Sequence, residues 1–247
     1  MKIIDALTRS LPLQLLACIV LLNGCASSGS SKTLSAKSLF DRHIENTFGK
    51  DGLQNHTSIT STGRIIIDDF GIEAPMVMRQ MSPNNLEFNT EFMGSKMTSG
   101  CNSENCWSQQ PGQSVQLLDG VQKTRTMQQA DFHLYENIDK YYDTLVIEPP
   151  AEGSESSNHK VVATTASGTE DLYYFSKESG LLIGAVLNLD TGTGIESVRM
   201  AYNNYKDFGG MVLASEIMQT MSVATIKMVI DDVSYDALSA EDFSPND

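Results

Sequence analysis

Phe40, Ile44 and Phe48 are spaced four apart, so they mark one buried stripe of a helix running through residues 34–48. Gly49 follows that stripe, where helices commonly end on glycine. From about residue 57 the apolar period falls to two. The clearest case is 86–92, where Leu86, Phe88, Thr90 and Phe92 share one face and Glu87, Asn89 and Glu91 the other. That alternation predicts an antiparallel strand with one wet face. Comparable runs occur at 65–67, 74–80, 96–99, 144–148, 160–165, 172–175, 181–189, 196–202, 212–220 and 224–231. Turn sequences separate several of them: Ser167-Gly168-Thr169, Lys177-Glu178-Ser179-Gly180, Asp190-Thr191-Gly192 and Asp207-Phe208-Gly209-Gly210. Residues 158–231 therefore read as a meander of hairpins. Residues 123–142 interrupt it with Met127, Phe132, Leu134, Tyr135 and Ile138 among polar side chains, which predicts one or two short helices. Residues 149–158 are a polar loop. Consecutive strands with segregated helices imply an α+β fold: a single curved antiparallel sheet of about ten or eleven strands, with helices covering its concave face. Nothing splits residues 34–247 into two domains.

The amino terminus is patterned differently. Residues 11–22 are apolar except for Gln14 and follow Lys2 and Arg9. Twelve helical residues rise about 18 Å, short of the ~20 residues that cross a bilayer, so the segment reads as the core of a signal peptide. Leu22-Asn23-Gly24-Cys25 resembles the lipobox of bacterial lipoproteins. The resemblance implies that residues 1–24 are removed, that the Cys25 thiol carries a lipid and that the new amino terminus is acylated. An ordinary secretory signal with an incidental cysteine is the alternative. Residues 25–33 then form the lipidated cysteine and a Ser/Gly-rich tether, whose seven residues after Cys25 span about 15 Å as a flexible coil. In lipoproteins of enteric type an Asp after the cysteine retains the protein in the inner membrane. Ala26 stands there instead, which points to the outer membrane by analogy.

Composition narrows the function. The 247 residues are 40% hydrophobic and 19% charged, enough for a sizeable core and unlike a disordered chain or a coiled coil. A net charge of −14 repels phosphate backbones, so no nucleic-acid partner is expected.

Several segments in order resemble the superfamily of the periplasmic lipoprotein carrier and its outer-membrane receptor (LolA/LolB-like), and more closely the outer membrane lipoprotein-sorting protein family. They are Phe48-Gly49-Lys50-Asp51 leading to Ile59-Thr60-Ser61-Thr62-Gly63-Arg64; Phe92-Met93-Gly94-Ser95-Lys96-Met97-Thr98-Ser99-Gly100 followed by Trp107-Ser108; Tyr173-Tyr174-Phe175-Ser176-Lys177-Glu178-Ser179-Gly180-Leu181-Leu182; and Tyr205-Lys206-Asp207-Phe208-Gly209-Gly210-Met211-Val212-Leu213. The resemblance covers roughly residues 34–245. It implies an unclosed half-barrel of about eleven strands around an apolar cavity lidded by helices, and a hydrophobic ligand or lipoprotein as partner. It carries no functional residue over by position.

Candidate chemistry is sparse. Cys101 and Cys106 flank four residues. In an oxidising compartment, with Cys25 lipidated, they form the remaining pair, and across a hairpin they can reach disulfide geometry. A metal site or free thiols are the alternatives, but no histidine lies within ten residues. Asp190-Thr191-Gly192 matches half of an aspartic-protease pair and has no second copy, so a hairpin turn is the plainer reading. His43, His56, His133 and His159 are widely spaced and expected on the surface or on helix faces, not as metal ligands. Asp68-Asp69 and Asp231-Asp232 close strand runs, and strand neighbours point to opposite faces. No nucleophile elbow or phosphate loop is present. The expectation is a binding protein without cofactor or metal, not an enzyme. Methionines are frequent, 12 in the chain, and suit an adaptable apolar cavity as well as ordinary core filling. The apolar sheet face then supplies candidate ligand residues: Leu86, Phe88 and Phe92; Val198, Met200 and Tyr202; Ile226, Met228 and Ile230. A non-catalytic structural or interaction lipoprotein of the envelope is the alternative.

Overall fold

In the computed structural model, residues 34–49, 56–92, 94–110, 112–150, 156–190 and 194–244 are described; the signal segment 1–24, Cys25 and the tether 25–33 lie outside them, as do the side chains of Phe92 and Asp190. Helix α1 (Ala36–Phe48) begins at a reciprocal cap: the Ser35 hydroxyl accepts from the Ser38 amide and the Ser38 hydroxyl accepts from the Ser35 amide. It ends at Gly49, whose φ of +68° lets the chain turn away while its N–H reaches the Glu45 carbonyl. Phe40, Ile44 and Phe48 are buried as the spacing predicts, and Leu39, His43 and Thr47 widen the stripe.

Among the described residues thirteen strands follow in one antiparallel sheet: β1 (Ser58–Ile67), β2 (Ile72–Met81), β3 (Asn85–Phe92), β4 (Ser95–Cys101), β5 (Cys106–Gln109), β6 (Gln116–Leu117), β7 (Thr144–Glu148), β8 (Asn158–Thr164), β9 (Glu170–Ser176), β10 (Leu182–Asp190), β11 (Ile195–Phe208), β12 (Met211–Thr220) and β13 (Thr225–Tyr235). The spatial order is β6-β5-β4-β3-β2-β1-β13-β12-β11-β10-β9-β8-β7. Two meanders are thus joined where β13 pairs with β1, and the segment between β6 and β7 must travel from one edge to the other. That segment carries α2 (Gly120–Ala130) and α3 (Ile138–Tyr141).

The sheet curls around its helices. Helix α2 touches β4 and β5 on one side and β10 on the other. In a flat sheet with strands about 4.8 Å apart, β4 and β10 would be separated by more than the width of a helix. The sheet does not close, because its edges β6 and β7 lie at opposite ends of the order. A bulge between Thr62 and Gly63 interrupts the β1–β13 register. There the strands approach so closely that a Cβ on Gly63 would lie 1.9 Å from the Val229 carbonyl oxygen.

Thirteen strands exceed the ten or eleven expected. The added ones, β5 and β6, are four and two residues long, too short for a period to show. Asp231 and Asp232 also do not close a strand, since β13 runs on to Tyr235, whereas Asp68 and Asp69 do start a short 3-10 turn after β1.

Candidate functional site

The inner face of the sheet is largely apolar, and one carboxylate, Asp171, is buried in it. Asp171 alternates with Tyr173 and Phe175 along β9, so it points inward with them, and it is fully buried. Arg125, from the middle of α2, meets it with two nitrogens: Nη1 donates to Oδ2 at 2.8 Å and Nη2 to Oδ1 at 3.2 Å. The Tyr142 hydroxyl donates to Asp171 Oδ2 at 2.5 Å, and the Asn188 amide of β10 donates to Oδ1 at 2.7 Å. Arg125 also donates to the Asn188 carbonyl at 2.8 Å and to Gln128 Oε1 at 3.0 Å. Gln128 Nε2 reaches the Tyr142 hydroxyl at 3.1 Å, which lies 2.8 Å from the Tyr173 hydroxyl. One network therefore fastens α2, β9 and β10 together.

Its electrostatics are those of a satisfied buried pair. Burial works against the Arg125 charge, but neighbouring Asp171 and Tyr142 together more than offset it and hold the guanidinium above its usual range. Burial, and then the charge of Asp171, push the Tyr142 hydroxyl well up. Burial, and then Tyr142, do the same to Tyr173. Both phenols stay protonated and serve as hydrogen-bond groups. An ion pair of this kind holds a geometry more than it adds net stability, while removal of one partner is costly.

Beside the network lies a cavity of about 60 Å³ between α2 and strands β9–β12. Leu187, Leu189, Val198 and Met200 line it from the sheet, with Leu134 from the segment between the helices. Polar groups line it too: Arg125, Gln122, Gln128 and Gln129 from α2, and Gln219 from β12. A second cavity, about 30 Å³, lies beneath α1 and is lined by His43, Tyr135, Tyr202 and Tyr205 among others. Sites that enclose a small-molecule ligand are commonly about 300–1,000 Å³. Both cavities are far smaller, because rings fill the interior. Phe40 packs on Tyr135, Tyr173 and Phe175 with centroids 5.5, 5.2 and 4.9 Å away.

Of the residues predicted to bind ligand, Leu86, Phe88, Val198, Met200, Tyr202, Ile226, Met228 and Ile230 share the inner face but not one cavity, and the Phe92 side chain lies outside the described residues. Val198 and Met200 line the larger cavity and Tyr202 the smaller. Leu86, Phe88, Ile226, Met228 and Ile230 are packed into the main core. Cys101 and Cys106 are joined as a disulfide between paired positions of β4 and β5, with Cα atoms 4.0 Å apart. Asp190 ends β10 and pairs with Ile195 of antiparallel β11; Thr191 and Gly192, the rest of the Asp-Thr-Gly segment, lie outside the described residues. Of the histidines, His43 is the buried one: it sits on the inner face of α1, and its Nδ1 accepts the Leu182 amide at 3.2 Å. Among the described methionines most fill the core or pack against it; of these Met200 lines the larger cavity, and Met218 is exposed.

Arg125, Asp171, Tyr142 and Gln219 were not singled out from the sequence. The available signal was parity: Asp171 shares the inner face with Tyr173 and Phe175, and Gln219 that of Leu213, Ser215 and Ile217. A polar residue on an apolar stripe marks a place where the interior needs a partner.

No protein-family model matches the sequence, and no curated protein does. Solved structures match the fold. A LolA superfamily protein from Nitrosomonas europaea superposes with a TM-score of 0.58 at 13% identity, covering 86% of this chain and 98% of its own. A DUF1329 family protein from Desulfovibrio piger gives 0.58 at 11% identity, with coverage of 86% and 98%. A putative outer membrane lipoprotein-sorting protein domain from Vibrio parahaemolyticus gives 0.53 at 10%, with coverage of 84% and 95%. An unclosed antiparallel sheet curled around crossing helices, matched over nearly the whole of these structures, is a LolA/LolB-like fold.

Proposed function

We propose that the protein is a non-catalytic envelope lipoprotein, anchored in the outer membrane through Cys25, that binds an acyl chain or a lipidated partner between its sheet and α2. The observation that carries this reading is the construction of the cavity. Its floor is mostly apolar, while its roof is a helix whose buried residues are only Thr126, Gln128 and Ala130. Little apolar area holds such a helix down, and the network around Asp171 does most of the fastening. A shift of α2 that pivots on the Arg125–Asp171 pair would widen the cavity beside it and offer Leu187, Leu189, Val198 and Met200 to a ligand. Binding would then follow apolar area, about 25 cal/mol per Å² less the cost of immobilisation, and select for length and shape. The LolA/LolB-like fold supports the reading. Binding is favoured over catalysis because Asp171, the carboxylate at the cavity, is engaged by Arg125, Tyr142 and the Asn188 amide.

The test is titration of the full chain in lipid nanodiscs with a fluorescent fatty acid and a lipidated peptide, against empty nanodiscs. Saturable binding, weakened by Met200→Asp in a folded protein, supports the proposal. The tightly filled interior favours a second reading, a lipoprotein that acts through its outer surface; absence of saturable binding to either probe would select it. For the anchor, Cys25→Ser should leave an uncleaved precursor without lipid, and unchanged processing in that variant would reject lipidation.

A further inference from the structure

The larger cavity contains a polar feature that an acyl chain does not explain. Gln219 is 1% exposed, yet it stands on the apolar inner face of β12 with Leu213, Ser215 and Ile217. Its Nε2 reaches only the Met221 sulfur at 3.7 Å, and its Oε1 is buried with no hydrogen-bond partner. Folded proteins rarely leave a buried acceptor empty, and the loss is that of a desolvated carbonyl. The side chain lines a cavity of about 60 Å³, room for a small terminal group and not for a chain. The charge of that group is also constrained. Arg125, the cation at the cavity, is already paired in bidentate fashion with Asp171. An entering carboxylate would find no free cation and would face the Gln219 carbonyl oxygen. A neutral group bearing an N–H or O–H would satisfy it.

We propose that this cavity receives the neutral, donor-bearing end of an amphiphile, an amide N–H or a hydroxyl next to its acyl chain, and that Gln219 Oε1 accepts from it. This rests on the acyl-binding reading above and adds a headgroup preference to it. A monoacylglycerol and an N-acyl amine share the required chemistry; an ionised fatty acid and a fatty ester lack it. Gln219 would then be a specificity residue that costs the ligand-free fold some stability.

Calorimetric titration of the full chain in nanodiscs, blanked against empty nanodiscs, tests this with four probes of equal chain length: decanamide, 1-decanoylglycerol, decanoate and methyl decanoate. The amide and the glyceride should bind about tenfold more tightly than the ester and the carboxylate, the value of one hydrogen bond to an otherwise empty acceptor. Gln219→Met, of similar length without the acceptor, should abolish that preference while keeping ester binding. Its thermal midpoint without ligand should be equal or higher, since an orphaned polar group has gone; a purely structural glutamine would lower it. Preference for the amide over the glyceride would identify an N-acyl ligand, and the reverse a glyceride. Equal affinity for all four probes, or a preference that survives Gln219→Met, overturns the headgroup proposal and leaves acyl binding standing. No saturable heat with any probe overturns both.

Discussion

His43 should govern how the domain responds to mild acid. The imidazole is completely enclosed between α1 and the sheet, with the rings of Tyr135, Phe175 and Tyr205 5.6, 6.3 and 6.4 Å away. Its Nδ1 accepts the Leu182 amide, so protonation would break that bond as well as bury a charge. Burial lowers its pKa from 6.5 to about 3. The unfolded chain therefore takes up a proton below pH 6.5 that the folded chain refuses until about pH 3. Stability is full above pH 6.5 and falls as pH drops through that window, by about 1.4 kcal/mol per pH unit. Between pH 7.5 and 4.5 the loss is about 2–3 kcal/mol, or roughly 5–10 °C in thermal midpoint for a domain of this size. Urea unfolding at pH 7.5, 5.5 and 4.5 measures it. His43→Asn keeps an acceptor near Nδ1 but does not titrate. It should be less stable throughout because of the space it leaves, and its pH dependence between 4.5 and 6.5 should be flatter by the stated amount. Asp236 and Asp242, whose pKa values are lowered, act below this window and are common to both proteins. Parallel pH profiles for parent and variant would rule out this role for His43, as would a His43 ring resonance that titrates near pH 6.

Asp171→Ala leaves Arg125 without its counter-charge and Tyr142 without its carboxylate acceptor and should cost about 3–5 kcal/mol in urea unfolding. Hydrogen exchange should quicken along residues 120–130 before it does in β1 or β13, because the network fastens α2. Cys101→Ser should cost about 2 kcal/mol, the chain-entropy value for so short a loop, and reducing agent should lower the parent to the same midpoint. Gly63→Ala should cost about 3 kcal/mol, at the upper end for overpacking, because the neighbour it meets is the Val229 backbone and not a side chain that can turn aside; an unchanged midpoint would show that the strands separate without penalty.

Much of this architecture is local in origin, and so it is legible in the order of residues. The stripe of Phe40, Ile44 and Phe48, the hairpin turns and the alternation through β3, β12 and β13 express periods of 3.6 and 2, which a chain cannot hide when one face must be dry. The same alternation placed Leu86, Phe88, Met200, Met228 and Ile230 on the inner face, and the spacing of Cys101 and Cys106 foretold their disulfide. Tertiary structure alone decided which inward residues meet. Arg125 and Asp171 are 46 positions apart and come together because the sheet curls until α2 bridges β4 and β10. Whether an apolar face is filled or left hollow depends on how closely rings from α1, β9 and the inter-helix segment interlock, a property of packing that no period encodes. Parity showed that Asp171 and Gln219 point inward. Only the assembled interior shows that the first is fully paired and the second is not.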